Sequence, residues 1–525
     1  MLVCGLRRAD LRTNLGPYSR LVAYVRTVKT ASGATAVQIV WSSRRGSRSI
    51  EHLGSAHDDQ ELEALKAAAR QRLAAGQGEL DLGLPAGASP GGPLEITSSR
   101  MGHLLDALGR AYDVLGFGPA TAGDEVFRQL VLARIIEPAS KQDSLRVLAE
   151  AGAAVSYPTL NRRLPGYATQ AWRQQLSAAC AAHAALGPAS LVLYDVSTLY
   201  FETDQGDGFR ESGFSKERRL EPQITVGLLT DAAGFPLAVQ AFEGNMAETK
   251  TMLPVITAFM ADCQLTDVTV VADAGMISDA NQRAIEDAGL SFILGTKIPD
   301  VPYAVAQWRR EHPGQDLPDG HVFTQPWPAT GAQKAGGHRD KTIYYQYRAD
   351  RGRRTLRGID EQIAKAEKAV AGLVPVKRNR FIALAEGQHL VNRQLEAKAR
   401  TLAGLKGYTT NLAACPDGTP VTPEFVISAY HDLWRIEKSF RMSKHDLKAR
   451  PVYHHKRESI DAHLAIVFAA LAVTRFIEAR TGWSVKRFVR TARRYRTIQI
   501  RAGQQLLTAE DPLPPDLRDV LALIR

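Results

Sequence analysis

Three acidic residues stand where a folded chain gains little from acids. Asp195 directly follows the apolar run Leu191-Val192-Leu193-Tyr194, and Asp273 follows Val270-Val271-Ala272. Each reads as the last residue of a buried strand, the first and the fourth of a series. In a mixed sheet where those two strands are adjacent, both carboxylates emerge at the same place. A lone Asp at a strand end is ordinarily a turn former or a helix cap, so the pair makes a case that neither member makes alone. Glu437 lies midway along a helix that opens at Thr422-Pro423, a good N-cap followed by a first-turn proline, and that is expected to run to Leu447. At about 100° per residue, Tyr430, Glu437, Arg441 and Lys444 fall on one narrow stripe beside the apolar Leu433, Ile436 and Phe440. A solvated charged face is the ordinary meaning of such a stripe, but its apolar border argues that Glu437 is partly shielded. Asp, Asp and Glu at one sheet edge make a hard-oxygen site suited to Mg²⁺. Two such ions would activate a water or a 3′-hydroxyl and stabilise the leaving oxygen of a phosphodiester.

The elements that would hold these acids can be read from the pattern. After Gly187 come the apolar run before Asp195, then two more at 223–230 and 235–242, joined by the hairpin signal Asp231-Ala232-Ala233-Gly234. A helix over 250–263, a strand over 268–272, a helix over 279–288 and a strand over 292–294 follow. The order β-β-β-α-β-α-β indicates an α/β fold, a mixed sheet covered by helices. Regularity then lapses until a strand candidate over 342–347, a helix over 359–374, an apolar run at 381–384 and a strand over 405–410. Upstream, 20–50 reads as a basic hairpin turning at Ser32-Gly33, with a helix over 60–73. Residues 83–93 (GLPAGASPGGP) are the clearest linker, and helical patterns fill 101–187.

Composition narrows the function. Lys and Arg number 66 against 55 Asp and Glu, a formal charge of +11, and 45% of the 525 residues are hydrophobic. That balance excludes disorder along the whole chain and raises the prospect of a polyanionic partner. The four cysteines (Cys4, Cys180, Cys263, Cys415) form no CxxC pair, against both a disulfide framework and a structural zinc site and in favour of reduced, cytosolic thiols. His454, His455 and His463 have no cysteine near them and read as packing or capping residues. The N-terminus lacks the apolar run of a signal peptide, and the apolar stretch 464–476 is broken by Thr474 and Arg475, which reads as a buried core helix. No GxxxxGK[ST] loop occurs, against an ATP-driven mechanism. A two-carboxylate glycosidase would explain neither the third acid nor the charge.

YDVSTLYFE at 194–202, GFSKERR at 213–219, FEGNMAET at 242–249, VVADAGMIS at 270–278 and YHDLWRIEKSFRMSK at 430–444 resemble the DDE transposases of bacterial insertion sequences. In that family a ribonuclease-H-like catalytic domain is interrupted by a β-rich insertion. The similarity runs in order from about 100 to 470, with weaker similarity over 20–60. The resemblance implies a catalytic and metal-binding triad, Asp195, Asp273 and Glu437, with two Mg²⁺ or Mn²⁺ ions. The family's Tyr-x2-Arg-x3-Glu-x6-Lys signature maps onto Tyr430, Glu437 and Lys444, with Leu433 in place of the Arg; Arg435 or Arg441 is then the candidate phosphate contact. Lys444 is expected to hold the DNA backbone.

The remaining expectations follow from charge and from the same resemblance. Lys216, Arg218 and Arg219 are candidate DNA contacts between the first two strands. Arg487, Arg490 and Arg494, on a basic helix after Ser484, are expected to share a phosphate-contacting face. Trp308 and Trp327 are candidates for stacking on a flipped base at a transposon end. The expected division is a basic α/β DNA-binding module at 1–80, a linker at 81–98, a helical DNA-binding region at 99–187, a catalytic domain at 188–302 and 412–480, its insertion at 303–411, and a basic helical region at 481–525. The resemblance implies a bacterial, cytoplasmic, nucleoid-associated enzyme with no membrane partner. It would bind the inverted-repeat ends as a homodimer, cleave them and join 3′-hydroxyls to target double-stranded DNA. A metal-dependent nuclease without strand transfer, and an inactive DNA-binding regulator derived from a transposase, are the alternatives.

Overall fold

A computed structural model describes residues 22–31, 33–42, 48–74, 94–187, 190–203, 205–213, 221–276, 279–335, 338–385, 388–450, 452, 454, 456–502 and 505–524. The expected linker at 83–93, His455 and the basic trio Lys216, Arg218 and Arg219 lie outside them. The chain forms two compact units, one of residues 1–103 with 493–514 and one of 104–492 with 515–525.

In the first unit the expected hairpin gains a third strand. Val22–Lys29, Thr35–Ser42 and Arg48–Ala56 form an antiparallel meander. The helix Asp59–Ala74 lies on it, packing Leu62, Leu65 and Leu73 around the buried Val37, Ile39 and Ala69. A second small sheet sets Thr497–Ala502 between Glu95–Arg100 and Gln505–Glu510. Arg496 is tied into this sheet, donating to the Ser99 hydroxyl (2.7 Å) and carbonyl (2.9 Å).

The second unit begins as helices whose starts are written in the sequence. Asp124, Ser140, Ser156 and Thr169 each accept a bond from the amide three residues on, the N-cap arrangement. Two of the helices they open matter below, α1 (Glu125–Ile136) and α2 (Lys141–Ala151). The central sheet follows: β1 (Ser190–Tyr200), β2 (Gln223–Asp231), β3 (Pro236–Glu243), β4 (Val268–Ala272) and β5 (Ser291–Thr296). β1, β2 and β3 pair antiparallel, while β4 and β5 add in parallel on the other side of β1. The first and fourth strands are thus neighbours, as a ribonuclease-H-like α/β sheet requires. Residues 303–411 add three strands to the same sheet. Their strands β6 (Val322–Trp327), β7 (Lys341–Tyr347) and β8 (Leu405–Thr410) give the full order β6-β7-β8-β5-β4-β1-β2-β3. Between β7 and β8 lie the long helix Ala349–Val370 and a small hairpin of Ile382–Ala385 with Gln388–Val391.

Three further elements that carry candidate residues differ from their sequence reading. Asp195 does not end β1; the strand runs on to Tyr200 because β2 continues to pair with it, Tyr200 opposite Gln223. The helix from Thr422 is not continuous. It divides into α3 (Pro423–His431) and α4 (Leu433–Arg441) and ends in a wide π turn at Met442–Asp446. The break is at Asp432, whose ψ of −9° departs from helical geometry and whose carbonyl accepts from the amide of Arg435 instead of a residue four on. The basic helix after Ser484 is Val485–Ala492 and stops before Arg493, so Arg494 is not on it.

Helix α5 (Arg457–Thr481) completes the core. It is long and apolar enough to cross a membrane, yet 89% of its most apolar window is buried within the protein. Its Ile460 and Leu464 pack with Leu199, Phe201, Ile224 and Val226 from β1, β2 and the adjoining chain.

Candidate functional site

The parallel pairing of β1 with β4 sets the site. Leu193 is level with Val271, so two residues further on Asp195 comes level with Asp273. Val192, Leu193 and Tyr194 are buried on β1, and Asp195, next along the strand, is half-exposed. Asp273 sits just past the last residue of β4, where the strand leaves the core. Glu437 reaches the same place from α4, whose buried Leu433 and Ile436 dock the helix and leave the glutamate exposed. Asp195, Asp273 and Glu437 line one cavity of about 560 Å³, with Tyr194, Arg351, Lys406, Tyr430, His431, Leu433, Trp434 and Ile436.

Tyr430 holds Asp273 in place rather than facing solvent. It is 4% exposed, and its hydroxyl donates to the Asp273 carboxylate. Burial, and then Asp273 itself, push its phenol well above the usual range, so it stays a donor. The ring stands edge-on to Tyr408, centroids 5.1 Å apart, and under the Lys406 ammonium at 4.3 Å. Gly295 on β5 makes room for it, since a Cβ there would lie 2.7 Å from the Tyr430 hydroxyl. Tyr430, which the resemblance places among the DNA-binding candidates, is thus set inside the protein against Asp273.

Two cations at this cavity were not singled out from the sequence. Lys406 comes from β8 and Arg351 from the long helix after β7, both within residues 303–411. Burial draws the Lys406 ammonium below its usual pKa, while Asp273 and Glu437 act the other way. Arg351 donates to the carbonyls of Gln346 (3.3 Å) and Gly404 (3.4 Å), which fixes its guanidinium beside the acids. Burial and these two cations also hold His431 below the usual histidine range, so it is neutral at neutral pH. The available signal was a single lysine in an otherwise uncharged buried strand, Leu405–Thr410.

The expected cations of α4 are not at this cavity. Arg435 is tied to Asp432 at 3.0 Å and packs against the β2–β3 turn at Gly234. Arg441 is exposed, and Lys444 lies in the π turn along the apolar seam with Phe440 and Leu464. The break at Asp432 and the π turn disturb the 100° phase that put Tyr430 and Lys444 on one stripe with Glu437, while Arg441 keeps its place one turn beyond Glu437 on α4. Arg487 and Arg490 are exposed on their short helix, Arg487 stacked 3.8 Å over Trp483. Trp308 is packed, stacked on His312 at 4.4 Å and set against Phe323. Trp327 is 53% exposed on the outer strand β6; the indole that lines the carboxylate cavity is Trp434, 55% exposed. His463 is fully enclosed, its Nε2 3.1 Å from the Ala449 carbonyl, consistent with a packing role.

Three carboxylates supply oxygen donors of the kind hard divalent cations take. Among the described residues, no group of three His, Cys, Asp or Glu side chains is close enough to hold a metal ion. The acids share the cavity without closing on a common point, and Asp273 is engaged by Tyr430. The chemistry of the donor set fits a divalent cation, and the flanking Lys406 and Arg351 fit a bound phosphate.

A family described as transposase DDE domain matches residues 186–473. No curated protein matches the chain. Among solved structures, a cryo-EM structure of the piggyBac transposase synaptic complex with hairpin DNA is similar at 10% identity and a TM-score of 0.35, covering 83% of this chain and 77% of that one.

Proposed function

The chain belongs to the transposase DDE-domain family, and on that premise we propose that it cleaves and joins DNA at the Asp195–Asp273–Glu437 cavity. Its substrates are the inverted-repeat ends of an insertion sequence, whose 3′-hydroxyls it joins to target DNA. Because both ends are cut and joined together, the working species is a homodimer holding two ends. The observation that carries this reading is the arrival of three acids, far apart in sequence, at one cavity flanked by two cations.

Asp195, Asp273 and Glu437 would hold two Mg²⁺ or Mn²⁺ ions, which supply polarisation of the scissile phosphate and a more acidic attacking water or hydroxyl. The chain's own residues do the rest. Tyr430 orients the Asp273 carboxylate through its hydroxyl. Lys406 and Arg351 draw a phosphodiester in and neutralise charge that grows in the transition state. Leu433 and Ile436 wall one side with apolar surface, which limits competing water. Trp434 offers an exposed ring to a base next to the cut.

The test is an oligonucleotide carrying the element's end, incubated with Mg²⁺ and a target duplex. Cleavage followed by a joined 3′-hydroxyl product is expected. Nicking without joining would favour a nuclease, and binding without either reaction would favour a DNA-binding regulator; both contradict the proposal.

A further inference from the structure

A larger cavity, of about 840 Å³, lies apart from the carboxylates, and the function proposed above makes no use of it. It is lined by Arg134 in the last turn of α1, by the start of α2, by Lys448 and by the residues that open α5. Five cations line it (Arg134, Lys141, Arg146, Lys448, Lys456) against two acids, Glu137 and Asp143. Both acids are engaged locally: Glu137 with Arg146 at 2.6 Å, and Asp143 accepting the Ser140 hydroxyl at 2.8 Å.

Arg134 is the unusual member. It is only 8% exposed, yet among the described residues no hydrogen bond or ion pair reaches its guanidinium. Burial lowers it to about 10, so it remains a cation at neutral pH. A buried, unpaired guanidinium is costly, and folds normally pair it or exclude it. The amino ends of two helices meet the same space, α2 of eleven residues and α5 of twenty-five, and α5 has no side-chain cap at its start. Helix amino ends carry partial positive charge and unsatisfied amides. Lys448 is held at the rim with a φ of 44°, a left-handed backbone that lysine rarely adopts.

We propose that this cavity is a phosphate-binding site, with Arg134 as the buried anchor and Lys448 and Lys456 at its rim. The planar fork of arginine matches two phosphate oxygens, and the helix amides supply further donors. A phosphate seated there would give Arg134 the partner it lacks. The same chemistry serves a phosphodiester of the DNA backbone or a free phosphorylated solute.

The test compares thermal unfolding of the full chain in inorganic phosphate and in chloride at matched ionic strength, for wild type, Arg134→Met and Lys456→Gln. Wild type is expected to gain stability in phosphate, Arg134→Met to lose that gain, and Lys456→Gln to show a smaller one. Without phosphate, Arg134→Met should be at least as stable as wild type, because an unpaired buried charge has been removed. Equal phosphate shifts in wild type and Lys456→Gln, or an Arg134→Met protein that melts far below wild type without phosphate, would overturn the proposal. Duplex binding by fluorescence anisotropy separates the two sources. If the ligand is DNA, Arg134→Met weakens binding about ten- to a hundredfold, the worth of one charge-assisted hydrogen bond, and phosphate competes. If it is a solute, duplex affinity is unchanged while the phosphate shift is lost. Neither measurement reads cleavage, so failure here leaves the carboxylate cavity's function standing.

Discussion

Replacing Tyr430 with phenylalanine isolates a single hydroxyl. The ring is 4% exposed, edge-on to Tyr408 and capped by Lys406, so the phenyl ring of the variant is expected to stay in place and only the bond to Asp273 is lost. A hydrogen bond to a charged group is worth about 1.5–3 kcal/mol when both ends are buried. Asp273 is exposed, so water replaces much of that, and the folding cost should be about 1 kcal/mol. The larger effect falls on what Asp273 binds. Partners that orient a metal-ligating carboxylate are typically worth about ten- to a hundredfold in metal affinity or activity. The lower figure fits here, because a tenfold change is about 1.4 kcal/mol, the worth of one such bond. The assay is oligonucleotide cleavage as a function of Mg²⁺ or Mn²⁺. Tyr430→Phe should need about tenfold more metal for half-maximal rate, while the rate at saturating metal stays within about threefold of wild type. An unchanged metal curve would refute the reasoning that Tyr430 orients a metal-holding Asp273. A fall in saturating rate with no shift in metal requirement would refute it equally.

Lys406→Met should weaken duplex binding and lower the slope of log affinity against log salt by about one, which titration at several salt concentrations reads directly. An unchanged slope would remove Lys406 from the DNA path. His463 is held neutral by burial, with Arg134 and His454 adding to the effect, so its folded-state pKa lies well below 6.5. The unfolded chain therefore binds this proton first, and stability is full above pH 6.5 and declines as pH falls from there toward the folded-state pKa. His463→Gln, which keeps a donor for the Ala449 carbonyl, should flatten that acid limb in unfolding curves taken from about pH 7.5 to 5; parallel curves would contradict it.

The parts of this fold that were legible in the sequence are those fixed by short-range pattern. β4 and β8 fall at 268–272 and 405–410 as expected; the apolar run of β4 ends sharply at Asp273, and β8 ends just before Asn411. The adjacency of β1 and β4 was inferable from element order, and it accounts for the meeting of Asp195 and Asp273. What the pattern hid depends on distant partners or on local backbone detail. β1 outruns its apolar segment because β2 pairs with residues 196–200, which no local periodicity announces. No proline or glycine marks the break at Asp432 or the π turn at Met442–Asp446, so a continuous helix is the natural reading; the break re-phases Tyr430 against Glu437, and the turn re-phases Lys444. The helix Ala349–Val370 starts ten residues before its apolar face becomes clear. Its first turns are charged and include Gly352, which concealed Arg351. Lys406 was hidden differently: the strand was read correctly, but its partner β5 carries it beside the acids only in three dimensions.

The central claim is that Asp195, Asp273 and Glu437 act together in cutting DNA. Single alanine substitutions at each, assayed for Mg²⁺-dependent cleavage and joining of a labelled end oligonucleotide alongside duplex binding, test it most directly. The account predicts that each variant loses both reactions while binding remains measurable. Cleavage at the wild-type rate by any one of the three would contradict it.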